Sequence, residues 1–262
     1  MAATTYFLNY IASNPLPRIK YRVSDMILYV ESDAAYLVNS CARSRCGGYQ
    51  YLGSKDATVF NAPVFVQAKV IKNVMASAAE AEVAALYLNA QEALPIRQCL
   101  IDMGHPQPAT PMNTDNQTAM GILNGTIKQK RSKAIDMRFY WLKDRAEQGQ
   151  FDIKWVPGKY NLADYFTKHH PGSHHRKVRP IYLYEEGRSP TTMQGCIEIL
   201  TGEQGKILSA RGRARGSRIR TSGHSRHSHG HSHGHTIGIP SMLASLANRT
   251  HSLVARITHL SQ

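Results

Sequence analysis

Four acidic residues lie in four separate local patterns, and their carboxylates are the side chains best suited to metal chemistry. Asp33 lies in LYVESDAAY, Glu82 in SAAEAEVAALYLNA, Asp115 in MNTDNQTAMGIL and Asp164 in NLADYFTK. If these strand-like and helix-like runs meet at one edge of a sheet, the carboxylates form a cluster that divalent cations neutralise. Two Mg²⁺ ions about 3.5–4 Å apart can activate a water and stabilise the leaving oxygen of a phosphodiester. The four acids therefore predict a two-metal nuclease, with Mn²⁺ as an alternative ion.

Each acid also has a purely structural interpretation. Asp115 precedes NQTAMG and could act only as a helix N-cap, while Asp164 could serve only the dipole of a helix that begins nearby. Glu80 competes with Glu82 for the inward position. The apolar stripe of the same helix favours Glu82 as the inward acid and directs Glu80 to solvent. The catalytic hypothesis therefore depends on all four acids occurring together in this order of strands and helices.

The pattern of the first 170 residues predicts an α/β domain. Residues 26–72 contain three β-branched and aromatic runs with turn glycines, which indicates an antiparallel meander of three strands. An Ala-, Leu- and Glu-rich helix should begin at Ser77 and end at Gly104, and Pro95 should kink or divide it. Further strand-like and helix-like runs give the order βββαβαβα. We therefore predict a mixed five-stranded sheet flanked by helices.

Composition favours a polyanionic partner and argues against a membrane protein. The net charge is +14, and residues 171–262 contain 13 Lys and Arg against 4 Asp and Glu. Such cations can replace the counterions of nucleic-acid phosphates. The four cysteines show no C-x-x-C spacing, and no apolar run approaches the roughly 18 residues of a membrane span. These features predict an intracellular protein of the cytoplasm or nucleus that does not enter a membrane.

The C-terminal part has a different composition from the domain. RGRARGSRIR and HSRHSHGHSHGHT lack apolar periodicity, so residues 187–262 are predicted to be a disordered, basic and His-rich tail. Its six histidines between His224 and His235 could chelate transition metals, although no Cys or acidic residue would fix their geometry. A metal-handling protein acting through this tail is therefore a less favoured hypothesis.

Several blocks in fixed order resemble one family. SDMILYVESDAAY, ARSRCGGYQYLG, SAAEAEVAAL, TDNQTAMGI, KAIDMRFYWLKDR and VPGKYNLADYFTK are similar to the RNase H domain of copia-type retrotransposon polyproteins. The resemblance covers roughly residues 5–185. It implies an RNase H-like fold and endonucleolytic cleavage of the RNA strand of RNA–DNA hybrids. It also implies that the metal-binding acids are Asp33, Glu82, Asp115 and Asp164.

The resemblance also implies a division of the chain. Residues 1–25 resemble the segment that joins a reverse transcriptase to the domain, residues 26–170 form the RNase H-like domain, and residues 171–186 form its exit. A reverse transcriptase domain is then an expected partner within a full element. No Tyr-x-Asp-Asp polymerase motif occurs in the chain itself. A catalytically silent remnant of such an element that still binds nucleic acid is the alternative function.

Contacts to an RNA–DNA hybrid are predicted at two places. Asn116 and Gln117, directly after the third acid, are candidates for contacting the 2′-OH, although Asn116 could simply cap a helix. A basic loop could hold backbone phosphates, with solvent exposure as the alternative. Its cations are Lys128, Lys130, Arg131 and Lys133. Trp141 and Trp155 are predicted to be core residues.

One position departs from many cellular RNases H, as it does in other copia-type elements, and a second departs from copia-type domains. The loop PGKYN, which precedes Asp164, contains no histidine, whereas many cellular RNases H have one there. The block before DMRFYW reads Ala134-Ile135-Asp136, where copia-type domains usually have His-Ile-Asp. We expect a structural role for Asp136. Neither departure removes a predicted metal ligand.

Overall fold

The computed structural model of the chain describes residues 2–123 and 133–202. Its strands are β1 (Ile27–Asn39), β2 (Arg43–Gly53), β3 (Pro63–Val70), β4 (Thr110–Thr114) and β5 (Phe151–Trp155). Its α-helices are α1 (Ala2–Ser13), α2 (Ala78–Asp102), α3 (Gln117–Leu123), α4 (Lys133–Glu147), α5 (Gly172–Tyr182) and α6 (Met193–Thr201). Two short 3-10 helices, Gly158–Tyr160 and Leu162–Phe166, follow β5. None of the helices in the described ranges is both long and apolar enough to cross a membrane.

The five strands form one mixed sheet in the order β3-β2-β1-β4-β5. β1 pairs antiparallel with β2, and β2 pairs antiparallel with β3, as the meander prediction required. β4 and β5 extend the sheet in parallel with β1. The predicted mixed five-stranded sheet flanked by helices is therefore confirmed. β1 lies in the centre, so a side chain near its middle has both the hairpin strand and β4 as neighbours.

The side chains of β1 alternate between the two faces of the sheet, and both faces are packed against other elements. Leu28 and Val30 pack with α2 and α4, in a core that also contains Leu86 and Leu142. Tyr29 points to the other face, where it joins an aromatic cluster with Tyr51. Successive residues of a strand point to opposite faces, so the buried pattern of β1 requires cover on both sides.

Helix α2 begins where the sequence predicts and continues further than Pro95 suggests. The Ser77 Oγ accepts a hydrogen bond from the Glu80 N–H at 3.1 Å, and a Glu80 carboxylate oxygen accepts one from the Ala76 N–H at 2.6 Å. The prediction that Glu80 faces solvent was wrong: its side chain is buried in this reciprocal cap. Of the kink or division predicted at Pro95, the division is also wrong, because one helix spans Ala78–Asp102. Residues on either side of Pro95, including Ala93 and Leu100, are buried in one core, which stabilises a continuous helix.

Helices α5 and α6 lie beyond the boundary predicted at residue 170. Val178 and Ile181 of α5 and Cys196 of α6 are buried in the aromatic cluster on the second face of the sheet. The folded unit therefore includes residues predicted as the domain exit and the start of the tail. In α5 the few apolar side chains are spaced among His, Arg and Lys residues, and this hid its amphipathic pattern. The rest of the predicted tail, with its histidine segment, lies outside the described residues.

A buried polar contact joins the sheet to α2 at a glycine. The Asn89 amide donates to the Gly47 carbonyl and to the Ser32 hydroxyl, each at 3.0 Å, and its oxygen accepts from Gln67 at 2.5 Å. A Cβ placed on Gly48 would lie 1.8 Å from that Asn89 oxygen. Only a glycine at this position lets α2 approach the sheet so closely.

We predict that Gly48→Ala lowers the free energy of unfolding by about 2–4 kcal/mol, because the new methyl must displace a hydrogen-bonded buried amide. Urea denaturation followed by circular dichroism measures this change. Gly172→Ala is the matched control, since the nearest atom to its added Cβ is an Arg176 nitrogen at 3.9 Å. Equal stability of the two variants would contradict the proposed close contact.

Candidate metal centre

Three of the four predicted acids meet at one end of the sheet. Asp33 comes from the middle of β1, Glu82 from the second turn of α2, and Asp115 from the residue after β4. One carboxylate oxygen of each lies within 4.8 Å of those of the other two. Asp33 and Glu82 are buried, and Asp115 is half-buried. Three carboxylates from distant parts of the sequence therefore form one compact group.

Asp33 is held by hydrogen bonds from the segment that follows β5. The Thr167 hydroxyl donates to one Asp33 oxygen at 2.5 Å, and the Asn161 amide donates to the other at 3.3 Å. Asn161 also donates to the Ser32 carbonyl and accepts from the Ala163 N–H, both at 3.0 Å. Asn161 thus begins the 3-10 helix Leu162–Phe166 and fixes it to β1 at the same time.

This close approach depends on Gly47, the cross-strand partner of Asp33 in β2. A Cβ on Gly47 would lie 2.6 Å from the Thr167 methyl and 2.8 Å from the Ala163 carbonyl oxygen. A side chain at this position would therefore displace the segment that binds Asp33. The glycine pair of RCGGYQ, which the sequence suggested only as a turn, lies inside β2 and admits a helix on each face.

Glu82 and Asp115 are oriented by neighbours of different kinds. One Glu82 oxygen accepts from the Ala34 N–H at 3.2 Å, and the other accepts from the Thr114 hydroxyl at 3.4 Å. The helix after Asp115 is capped instead by Asn116, whose side-chain oxygen accepts from the Ala119 N–H at 2.9 Å. The N-cap alternative for Asp115 therefore does not apply, and its carboxylate faces the other acids.

Asp164 lies beside this group but outside its closest part. It belongs to the 3-10 helix Leu162–Phe166, and the α-helix predicted for this segment does not form. Its carboxylate makes an ion pair with the Lys168 ammonium one turn later. Burial is the main cause that raises the pKa of Asp33 and of Asp115, and the negative charge of Asp164 adds to the rise in both. The fourth acid therefore borders the group, with its charge partly neutralised by a lysine.

The group is electrostatically unfavourable without a cation. Burial, followed by the charges of Asp33 and Asp115, raises the pKa of Glu82 to about 9. Burial is also the main cause that raises the pKa of Asp33 to about 6, with further contributions from Asp115 and Asp164. Like charges at this separation disfavour simultaneous ionisation. A hard divalent cation, which prefers carboxylate oxygens, would offset this repulsion, so the donor set fits such an ion.

The predicted nucleic-acid contacts are only partly within the described residues. Asn116 caps α3, as the structural alternative for it suggested, and Gln117 is the exposed first residue of that helix. Lys128, Lys130 and Arg131 lie outside the described ranges. Lys133 begins α4, but its side chain is not among those described. The contacts predicted for this loop therefore stay predictions.

Of the two tryptophans predicted to be core residues, one prediction is confirmed and the other is wrong. Trp141 packs partly buried against the core between the sheet and α2. Trp155 was wrongly predicted as a core residue, because it is 39% exposed at the end of β5. Its indole N–H donates to the Asp115 backbone carbonyl at 2.9 Å. Trp155 therefore fixes the backbone of an acid of the group.

Sequence patterns missed the residues that support the acids. Asn161, Thr167 and Lys168 surround Asp33 and Asp164, yet each looks like an ordinary polar residue near a helix. Glu31 was also missed: it is buried two residues before Asp33 and accepts from the Asn113 amide at 2.9 Å. The spacing N-x-x-D-x-x-T around Asp164 was the only available signal, and it is too short to be specific.

Comparison with known proteins gives a partial match to a retroelement polyprotein. No family model matches the chain. Over 168 residues the chain is 25% identical to the retrovirus-related Pol polyprotein from transposon TNT 1-94 of Nicotiana tabacum. The match covers 63% of this chain and 12% of the polyprotein, so the chain spans a small part of its relative's length. This match confirms the predicted resemblance to a retrotransposon polyprotein.

Solved structures similar to this one include RNase H domains. The N-terminal RNase H domain of rv2228c from Mycobacterium tuberculosis is 16% identical, with a TM-score of 0.39, over 54% of this chain and 91% of that chain. LC11-RNase H1, solved with an RNA/DNA hybrid, is 15% identical, with a TM-score of 0.40, over 53% and 91%. Prototype foamy virus protease-reverse transcriptase is 16% identical, with a TM-score of 0.35, over 54% and 20%. TM-scores this low do not by themselves establish the fold class. The order and directions of the five strands do, and they agree with the predicted RNase H-like fold.

We predict that Glu82→Gln raises the melting temperature of the metal-free protein by on the order of 5 °C at pH 8. The folded-state pKa of Glu82 is raised, so its contribution to stability is present below about pH 4.5 and is lost as the pH rises toward 9. The glutamine side chain does not ionise, so the variant avoids the loss of stability at high pH, and its side chain has the same size as that of Glu82. The gain should therefore shrink when melting is repeated in EDTA at pH 5.

Glu92→Gln, on the same helix but outside the acid group, controls for the loss of one negative charge. A Glu82→Gln variant that is equally or less stable than the parent at pH 8 would show that burial of the carboxylate is not unfavourable there.

Proposed function

We propose that this chain is a divalent-metal-dependent ribonuclease that cleaves the RNA strand of RNA–DNA hybrids by endonucleolytic hydrolysis. The observation that carries the proposal is the group of Asp33, Glu82 and Asp115, within 4.8 Å of one another at the end of a mixed sheet. A buried cluster of like charges is costly in a folded protein, and it is typical of sites that bind cations for phosphoryl chemistry. Similarity to part of a retrotransposon Pol polyprotein supports the choice of nucleic acid as substrate.

The residues proposed to hold the ions are the four acids found from the sequence. Asp33, Glu82 and Asp115 supply the compact group, and Asp164 supplies a fourth carboxylate at its border. When bound, two Mg²⁺ ions, or Mn²⁺ in their place, would supply a nucleophilic water and charge stabilisation at the phosphate. The ions are expected to compete with Lys168 for the Asp164 carboxylate, because both are cations that require the same oxygen atoms.

The remaining residues of the site orient the carboxylates. Thr167 and Asn161 hold Asp33 by two hydrogen bonds, while the Ala34 N–H and the Thr114 hydroxyl hold the two oxygens of Glu82. These donors come from backbone and side chains that are fixed in the sheet or the 3-10 helix. The carboxylates are therefore positioned before an ion binds, which lowers the cost of assembling the site.

The source of the chain is proposed to be a copia-type retrotransposon polyprotein, in which a reverse transcriptase would act beside the nuclease. Support comes from the ordered sequence blocks and from the polyprotein match that covers only 12% of that relative. The intracellular location, cytoplasm or nucleus, is proposed with this source. The silent alternative, a remnant that binds nucleic acid without turnover, differs in one measurable respect. It would retain hybrid binding and show no metal-dependent cleavage.

We predict that Asp115→Asn reduces Mg²⁺-dependent cleavage of an RNA–DNA hybrid at least about 100-fold, because several kcal/mol of charge stabilisation correspond to two or more decades in rate. The assay uses a hybrid labelled at the 5′ end of its RNA strand, with products resolved on a denaturing gel. Circular dichroism and urea denaturation of the variant verify that the fold is intact.

Asp102→Asn is the matched control, since Asp102 lies exposed at the far end of α2 and accepts a hydrogen bond from Gln98. Its cleavage rate should equal that of the parent. Cleavage by Asp115→Asn at the parental rate, or cleavage by the parent that persists in EDTA, would refute the metal-dependent mechanism.

A further inference from the structure

The end of the sheet beyond Asp33 has a high density of unpaired positive charge. Residues 34–79 contain a single acidic residue, Asp56, which lies in the loop between β2 and β3. At the opposite end of these strands lie four cations, hereafter the basic arm: Arg43, Arg45, Lys69 and Lys72. In the described part of the chain none of the four forms an ion pair with an acidic residue. Charge of this kind on a folded surface requires an anionic partner outside the protein or exposure to solvent.

Strand register places the two arginines on the same face of the sheet as Asp33. Asp33 pairs with Gly47, and Ala35 pairs with Arg45 in the same antiparallel ladder. Ser44 and Cys46, which alternate with the arginines, are buried toward α2, so Arg43 and Arg45 point to the other face. Directly opposed residues of a ladder share a face, so Asp33, Arg45 and Arg43 form one row.

The spacing of this row fits a nucleic-acid backbone. A strand rises about 3.4 Å per residue, so Arg45 lies about 7 Å and Arg43 about 14 Å along β2 from the position opposite Asp33. Each nucleotide of a nucleic-acid strand carries one phosphate charge. Two arginines on one face at a two-residue interval, about 7 Å apart, can therefore each contact a different phosphate of a strand that passes over the acid group.

Within residues 2–123 and 133–202, the donors of the two arginine side chains are largely unused. Arg45 donates one hydrogen bond, to the Asn39 side-chain oxygen at 2.9 Å. This contact crosses the β1–β2 hairpin and holds the guanidinium near the end of the arm, which leaves its other N–H groups for a ligand. An arginine fixed in this way loses little side-chain entropy when it binds a phosphate.

We propose that the basic arm is the backbone-binding surface of this protein, with Arg43 and Arg45 as the principal phosphate contacts. The inference rests on the proposed function, because it assigns the anionic partner as the hybrid that the acid group would cut. Lys69 is opposed to Cys46 and so points to the α2 face of the edge strand β3, while Lys72 follows that strand; both lysines add only non-directional attraction. The surface differs from the loop of residues 128–133, which the sequence singled out for the same role.

The test measures hybrid binding at several salt concentrations. An 18-base-pair RNA–DNA hybrid with a fluorescent label is titrated with the protein in Ca²⁺ by anisotropy, and a denaturing gel verifies that the RNA stays intact. Arg43→Gln with Arg45→Gln should reduce the magnitude of the slope of log affinity against log salt by about 2, since two phosphate contacts are lost. Affinity at moderate salt should fall roughly tenfold, and Arg43→Gln alone should reduce the slope by about 1.

Two further variants separate position from charge. Lys55→Gln removes a positive charge from the loop between β2 and β3, at the opposite end of these strands, and it should leave the slope unchanged, in contrast to Arg43→Gln alone. Lys69→Gln with Lys72→Gln should change the slope less than the arginine pair. A parental slope in the arginine pair, or equal losses in Lys55→Gln and Arg43→Gln, would overturn the proposed surface.

Cleavage measured in Mg²⁺ on the same proteins keeps the two proposals apart. A parent that cuts the hybrid, together with an arginine pair that binds like the parent, would overturn the basic arm and leave the nuclease proposal standing. A parent that binds with the arginine-dependent slope but never cuts would overturn the nuclease proposal and leave the surface standing.

Discussion

The mutual repulsion of three clustered carboxylates, two of them buried, is the constraint on which the rest of the site depends. Asp33, Glu82 and Asp115 lie within 4.8 Å of one another, and burial together with like charge raises the pKa of Glu82 to about 9. An arrangement of this kind stabilises nothing in the metal-free protein. It persists because the surrounding fold is rigid enough to hold it, and its chemical value appears only when a cation binds.

The rigidity has an identifiable source in polar contacts between distant segments. Asn89 joins α2 to β1 and β2, and Asn161 joins the 3-10 helix after β5 to the Ser32 carbonyl and to Asp33. Both contacts require a missing side chain, at Gly48 on one face of β2 and at Gly47 on the other. Buried amides that are fully hydrogen-bonded specify one packing arrangement, because any shift leaves a polar group unpaired. The glycine pair thus controls the distance of both flanking elements from the sheet.

Charge is distributed over the sheet in a way that fits the proposed chemistry. The acids gather where β1, β4 and α2 meet, while the basic arm continues β2 and β3 past them. A polyanion that approaches this end meets cations first along the arm and a concentrated negative group beside it. Metal ions at the acids would reverse the sign of that group, so binding of the metal and binding of the nucleic acid would reinforce each other.

The sequence by itself determined the strands, the long helix and three acids that the fold brings together, because these depend on local periodicity and on residue chemistry. Ser77 as the start of α2 and the meander of β1, β2 and β3 are examples. The wrong predictions at Glu80, Pro95 and Trp155 concern the packing partner of a side chain, which no local pattern contains. Only the tertiary structure decided that Asn161 and Thr167 support Asp33, and that α5 and α6 cover the second face. The physical reason is that these contacts join residues more than 100 positions apart or depend on burial, and both are properties of the folded chain.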